Sequence, residues 1–119
     1  MYATRTMRGG EVFVPDAPAA LITRMAEAVV GGEPRFNVIG IRSGGEKLHE
    51  QLLTADETRR ARRINGVYVV PPDVPAQWHW DASAWLGEPV DPGLVYRSDV
   101  WRQATIEELR ALLQAPGLA

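Results

Sequence analysis

"GIRSGGEKLHEQLLTADE", residues 40–57, is the hinge of this chain's reading. An apolar run ends in Arg42, two glycines follow, and Glu46, Lys47, His49 and Glu50 arrive in quick succession. Two readings stay open on residue chemistry alone. In one, Arg42 projects from the end of a strand, and its planar fork matches phosphate oxygens in pairs. Gly44 and Gly45 then let backbone N–H groups approach a ligand closely. A helix starting just after them favours an anion at its N-terminus, and Glu46 offers acceptors to a pair of hydroxyls. In the other, the stretch is a solvated strand-to-helix turn, with Glu46 serving the helix dipole and Arg42 meeting water.

The flanks read as alternating strands and helices. "GGEVFVP" (9–15) predicts a short strand stopped by Pro15. "DAPAALITRMAEAVVGG" (16–32) predicts a helix with Pro18 in its first turn and Gly31-Gly32 as terminator. Its apolar side carries Leu21, Ile22, Met25, Ala26, Val29 and Val30. "RFNVIGI" (35–41) predicts a second strand. Lys47 to Leu53 suits a short helix with Leu48, Leu52 and Leu53 inward. Thr54 and Glu57 then fit a capping box that opens another helix, "DETRRARRI". "GVYVV" (66–70) and "LVYRS" (94–98) predict further strands. "TIEELRALLQ" (105–114) predicts a terminal helix, boxed by Thr105 and Glu108, with Ile106, Leu109, Leu112 and Leu113 inward. Between them, residues 71–93 hold five prolines and Trp78, Trp80 and Trp85, a long irregular segment. The order favours an α/β layer in a single domain over 1–119. Its α/β part covers 7–70, the Pro/Trp-rich segment 71–93, and a closing strand and helix 94–114.

Bulk composition narrows the function classes. The chain has 119 residues, the size of one domain. Its formal net charge is -2, so no global field draws it to nucleic acid or to an anionic membrane. Cysteine is absent, which excludes disulfides, thiolate zinc sites and a Cys nucleophile. Two histidines, His49 and His79, are too few for a His-rich metal site. No apolar run approaches the roughly 20 residues that span a bilayer. The start of the chain lacks the apolar core of a signal peptide, which makes the cytoplasm the expected compartment.

Several motifs are missing. There is no Gly-x-Gly-x-x-Gly, no P-loop and no Tyr-x-x-x-Lys pair among Tyr2, Tyr68 and Tyr96. Ser43, Ser83 and Ser98 stand in no nucleophile-elbow context. Arg59, Arg60, Arg62 and Arg63 form a basic cluster, read as a solvated helix face paired with Asp56 and Glu57, or as a grip for a polyanion. "WHW" (78–80) reads as a pin for a loop or as a stacking platform.

Taken in order, several segments carry a resemblance. They are "GGEVFVPDAPAALITRMAEAV", "VIGIRSGGEKLHEQLLTADETRRA", "GVYVV" and "YRSD", with "TIEELRALL" closing the chain. Together they resemble the C-terminal part of the CapD-like polysaccharide biosynthesis proteins. These are extended short-chain dehydrogenase/reductases that include UDP-N-acetylglucosamine 4,6-dehydratases and related epimerases. The resemblance implies an α/β fold, a small mixed sheet with about three to four helices, like that family's C-terminal substrate-binding domain. It also implies that NAD(P) and the Tyr-x-x-x-Lys chemistry belong to an N-terminal Rossmann domain lacking here. No cofactor, metal or catalytic residue is therefore expected on this chain, and no catalysis by it alone.

By the same resemblance, Arg42 matches the Arg that grips the UDP diphosphate. Glu46 matches the Glu that holds the ribose or adjacent groups. The implied partners are a nucleotide-sugar of UDP or dTDP type, and a separate Rossmann-domain protein or a second copy of the chain. Two departures stand out. The family has Arg-Pro-Gly-Glu, where this chain has Arg42-Ser43-Gly44-Gly45-Glu46 with one residue more. The family's Asp in the 20–26 helix is replaced by Arg24 or its neighbour Thr23. The alternative is a protein-interaction or regulatory module derived from that domain, without ligand binding.

Overall fold

The computed structural model describes residues 2–73 and 87–115. Trp78, His79, Trp80 and Trp85, and with them the "WHW" readings, lie outside the described residues. The chain divides into two compact units, Met1–Ala17 with Gln51–Tyr96, and Pro18–Glu50 with Arg97–Ala119.

The first unit is built on a four-stranded sheet, in the order β1-β4-β3-β5. It holds α1 (Tyr2–Thr6), β1 (Val12–Pro15), β2 (Gln51–Leu53), α3 (Ala55–Arg60), β3 (Arg62–Ile64), β4 (Val67–Val70), β5 (Glu88–Pro89) and the start of β6 (Tyr96–Arg97). β4 is apolar and central, pairing antiparallel with β1 (Phe13 opposite Val69) and with β3 (Ile64 opposite Val67). β5 adds to β3, again antiparallel. The β3–β4 connection is the two-residue turn Asn65-Gly66, at φ 50 and 75. Positive φ at both positions matches the twist of the strands it joins, and Asn-Gly is the pair that tolerates it. Val69 is 2% exposed, packed by Phe13, Ile64 and Val67. Leu53 and Thr58 are buried too, and the Thr58 hydroxyl donates to the Thr54 carbonyl at 2.8 Å.

Three expectations change in this unit. Residues 51–53 form a strand, β2, paired with β6, where a helix from Lys47 to Leu53 was predicted. Only Leu53 of that segment's leucines is buried; Leu48 and Leu52 are exposed. The "DETRRARRI" helix stops at Arg60, because Arg62–Ile64 is claimed by the hairpin with β4. The predicted capping box is present. Thr54 accepts from Glu57 N–H at 3.2 Å, and Glu57 accepts from Thr54 N–H at 2.8 Å.

The second unit packs α2 (Ile22–Val30) against α4 (Ile106–Gln114). Ala28, Ala104 and Leu109 form its core, with Ala20 and Ile106 beside them. α2 starts six residues later than the predicted 16–32 helix. The preceding backbone is spent elsewhere: Ala19 bridges in parallel to Gln103, with Ala19 N–H on the Arg102 carbonyl and Ala104 N–H on the Ala19 carbonyl, each 2.8 Å. Gly31, at φ 75, ends α2 as predicted, its N–H on the Glu27 carbonyl. The inward face differs, since Leu21, Ile22, Met25, Val29 and Val30 are all exposed and Ala28 is buried. On α4, Leu109 is buried but Leu112 and Leu113 are exposed. Residues 35–41 join no strand among the described residues and are exposed throughout. Their β-branched sequence expresses a preference that only a neighbouring strand realises.

Candidate functional site

Arg42 and Glu46 lie in the second unit, in irregular chain between α2 and Glu50. Arg42 stands on no strand, and no helix follows the glycines. The anion-favouring helix N-terminus expected there is therefore not formed. Residues 43–45 make a tight turn with Gly44 at φ 114 and Gly45 at φ 90. Side chains rarely adopt that backbone region, so the turn depends on both glycines. Glu46 closes the turn from its far side. Its Oε2 accepts from the Arg42 backbone N–H at 2.7 Å, and its Oε1 lies 3.4 Å from the Arg42 guanidinium. The extra residue in this motif thus leaves Arg42 and Glu46 paired. Both side chains stay open to solvent, 75% and 41% exposed.

Glu46 lines an open cleft of about 1080 Å³ within the second unit, large enough for a small-molecule ligand. Its apolar lining comes from Leu21 and Ile22 at the start of α2 and from Val38, Ile39 and Ile41. Its polar lining comes from Lys47, His49 and Glu50 with Ser98, Asp99 and Gln103. Glu50 and Ser98 are tied together: Ser98 N–H donates to the Glu50 carbonyl at 2.8 Å, and Glu50 N–H to the Ser98 hydroxyl at 3.0 Å. Asp99 accepts from the Nε and Nη2 edge of the Arg97 guanidinium, at 2.5 and 2.8 Å. Those hydrogen bonds hold its carboxyl below the usual carboxylate range. Arg24, where the resemblance expects Asp, is on the cleft wall and donates to the Ala104 carbonyl at 3.2 Å.

Three of the four arginines in the cluster are taken up by structure, and Arg59 is exposed. Arg60 reaches Asp56 at 3.3 Å, Asp73 at 2.5 Å and the Pro71 carbonyl at 2.9 Å. Arg62 donates to the Gly87 carbonyl at 2.8 Å. Arg63 pairs with Asp16 at 2.7 Å and lies over the Tyr68 ring. Of the partners predicted for the cluster, Asp56 is used, whereas Glu57 serves the cap. Tyr68 and Tyr96 are buried ring against ring, 5.6 Å apart. Burial, and then Asp16, push the Tyr68 hydroxyl up, which is the wrong direction for a proton carrier near neutral pH. Among the described residues no cluster of His, Asp and Glu could hold a metal ion. No described helix is long and apolar enough to cross a membrane.

Sequence reasoning singled out Arg42 and Glu46 and noted Lys47, His49 and Glu50, but did not bring Ser98, Asp99 and Gln103 to the same cleft. Asp99 and His49 are 50 positions apart, and only the quoted "YRSD" hinted at the first of them.

Comparison with known proteins completes the site's context. A family model described as "Polysaccharide biosynthesis protein" matches residues 1–72. The chain is 33% identical, over 100 residues, to a UDP-N-acetylglucosamine 4,6-dehydratase (inverting) of Campylobacter jejuni, covering 78% of this chain and 29% of that protein. It is 34% identical, over 76 residues, to a UDP-glucose 4-epimerase of Rickettsia felis, covering 61% of this chain and 22% of the relative. The X-ray structure of Pen from Bacillus thuringiensis superposes with a TM-score of 0.68 at 27% identity, over 94% of this chain and 32% of that one. The chain therefore spans under a third of the length of these relatives.

Proposed function

The chain belongs to the polysaccharide biosynthesis protein family, and on that premise we propose that it is a nucleotide-sugar-binding segment of a UDP-sugar dehydratase- or epimerase-like protein. The observation that carries this reading is the pairing of Arg42 with Glu46, with Glu46 on the lip of the cleft. An exposed ion pair of this kind is worth about 0–1 kcal/mol. A charge-assisted hydrogen bond from Arg42 to a diphosphate oxygen is worth about 1.5–3 kcal/mol. Arg42 therefore gains by leaving Glu46 for the phosphate, and Glu46 Oε1 is released to accept a ribose hydroxyl. Arg42 neutralises charge and Glu46 fixes orientation. Neither acts on a reacting bond. The chain carries no Gly-x-Gly-x-x-Gly and no Tyr-x-x-x-Lys, so its residues do not fit a nicotinamide cofactor and no step of this reading runs through one. In this proposal NAD(P) belongs to a Rossmann domain of a complementing subunit or of a longer protein.

Part of a site binds weakly, with a dissociation constant on the order of millimolar. Isothermal titration with UDP and UDP-N-acetylglucosamine tests the reading. Heat at millimolar ligand, lost in Arg42→Ala, is expected. No heat, or binding unchanged by the substitution, sinks it.

A second reading has its own observation. Val38, Ile39, Ile41 and Leu48 are exposed together in the second unit, and apolar surface of that kind commonly marks an interaction face. We propose as the alternative an interaction or regulatory module, covered by a partner protein or by a second copy.

A further inference from the structure

We propose that Asp99, clamped by Arg97, forms with His49 the subsite that recognises the sugar hydroxyls of the ligand in this cleft. The inference rests on the nucleotide-sugar reading of the same cleft and goes beyond it, since that reading assigns only the diphosphate and ribose contacts.

The argument starts from what each polar group has left to offer. The Arg97 guanidinium takes one lone pair from each Asp99 oxygen, at 2.5 and 2.8 Å. A carboxylate oxygen has a second lone pair, and the Asp99 backbone N–H also bears on the group, so Asp99 retains acceptor capacity that is fixed in direction. A carboxylate held in this way accepts hydroxyls without first losing rotamer freedom, which is the gain from preorganisation. Its depressed pKa keeps it an acceptor through the neutral range. Charge-assisted hydrogen bonds from hydroxyl donors are the strong kind.

His49 lines the same cleft and is near enough to bear electrostatically on Asp99. An imidazole adds a donor or an acceptor beside the carboxylate. Around them the backbone is set by the Glu50–Ser98 pair of hydrogen bonds. The Gln103 amide, which donates to the Ser98 and Trp101 carbonyls, keeps its own carbonyl oxygen available. Acceptors from Asp99 beside donors from Lys47 suit a ligand whose hydroxyls both donate and accept, as a hexose's do. Glu46, assigned to the ribose, lines the same cleft as Asp99 and His49, so one ligand can engage all three. Arg97 is a positioning residue here, acting through Asp99.

Two-dimensional NMR titration of the 119-residue chain reads this at millimolar affinity. The wild type should bind UDP-N-acetylglucosamine roughly tenfold more tightly than UDP, the increment expected of a charged hydrogen bond. Asp99→Asn should leave UDP affinity unchanged and bring UDP-N-acetylglucosamine down to the UDP level. His49→Ala should lose part of the same increment, and it stands in if Asp99→Asn fails to fold. If UDP binds but the sugar adds nothing, or if the increment survives both substitutions, the subsite assignment is overturned and the diphosphate reading stands. If neither ligand binds the wild type, both readings fall together.

Discussion

Between Arg42 and Glu46 the chain closes a turn with a carboxylate that touches both the backbone and the guanidinium of one residue. Such a contact orders the loop at little cost, because the pair is exposed and weak. In the proposed ligand reading, that weakness is what lets Arg42 exchange Glu46 for an anion. The opposite case is Gly87, where no change is tolerated. A Cβ there would sit 2.2 Å from Ile64 Cγ1 and 2.8 Å from the Arg63 carbonyl oxygen. The second contact is with backbone and cannot rotate away. Gly87→Ala should therefore destabilise the chain by about 1–3 kcal/mol, as overpacking does, read as a lowered midpoint in urea. An unchanged midpoint would show that β5 does not pack on β3 as described.

At the scale of elements, the reliable signals were local ones. Both capping boxes formed where Thr-x-x-Glu predicted them, because the bonds join residues three apart and need no distant partner. At α4, Thr105 accepts from Glu108 N–H at 3.1 Å, and Glu108 also reaches Arg102 at 2.9 Å. α4 supplies Leu109 to the second unit's core. Thr105→Ala should cost about 1 kcal/mol and lower Tm by about 3–6 °C, with Thr105→Ser restoring most of it. Strands were read less well. β1 and β4 agree with their prediction, since each is a compact β-branched run between turn residues. β3 was hidden inside an apparently helical "DETRRARRI", although the Asn65-Gly66 pair after it is a hairpin signal in its own right. The sheet's strand pairings are antiparallel, and the parallel pairing is limited to the isolated Ala19–Gln103 bridge.

At the scale of the whole molecule, the two proposals make different demands. A ligand site needs only the cleft of the second unit. An interaction module needs a cover for Val38, Ile39, Ile41 and Leu48. Burying one such side chain is worth about 1.5–3 kcal/mol, so several together favour association at modest concentration. If that face is an interface between copies, light scattering after size exclusion should give a mass above the 13.1 kDa of one chain. Ile39→Glu should return it to that value. A strict monomer that also captures no dehydratase-like partner argues against the interaction reading and leaves the ligand reading untouched.

The sequence by itself determined the family, the capped helix starts, the Gly31 stop and the two apolar strands, and it singled out Arg42 and Glu46 without their pairing. Each rests on residues adjacent or a few positions apart, whose preferences are written locally. Only the tertiary structure decided that 51–53 is a strand, that 35–41 is not, and that α2 turns Ala28 rather than its larger residues inward. It also brought His49 to the same cleft as Asp99. These outcomes depend on which distant backbone offers a hydrogen-bonding edge or a complementary surface, and no local pattern encodes that.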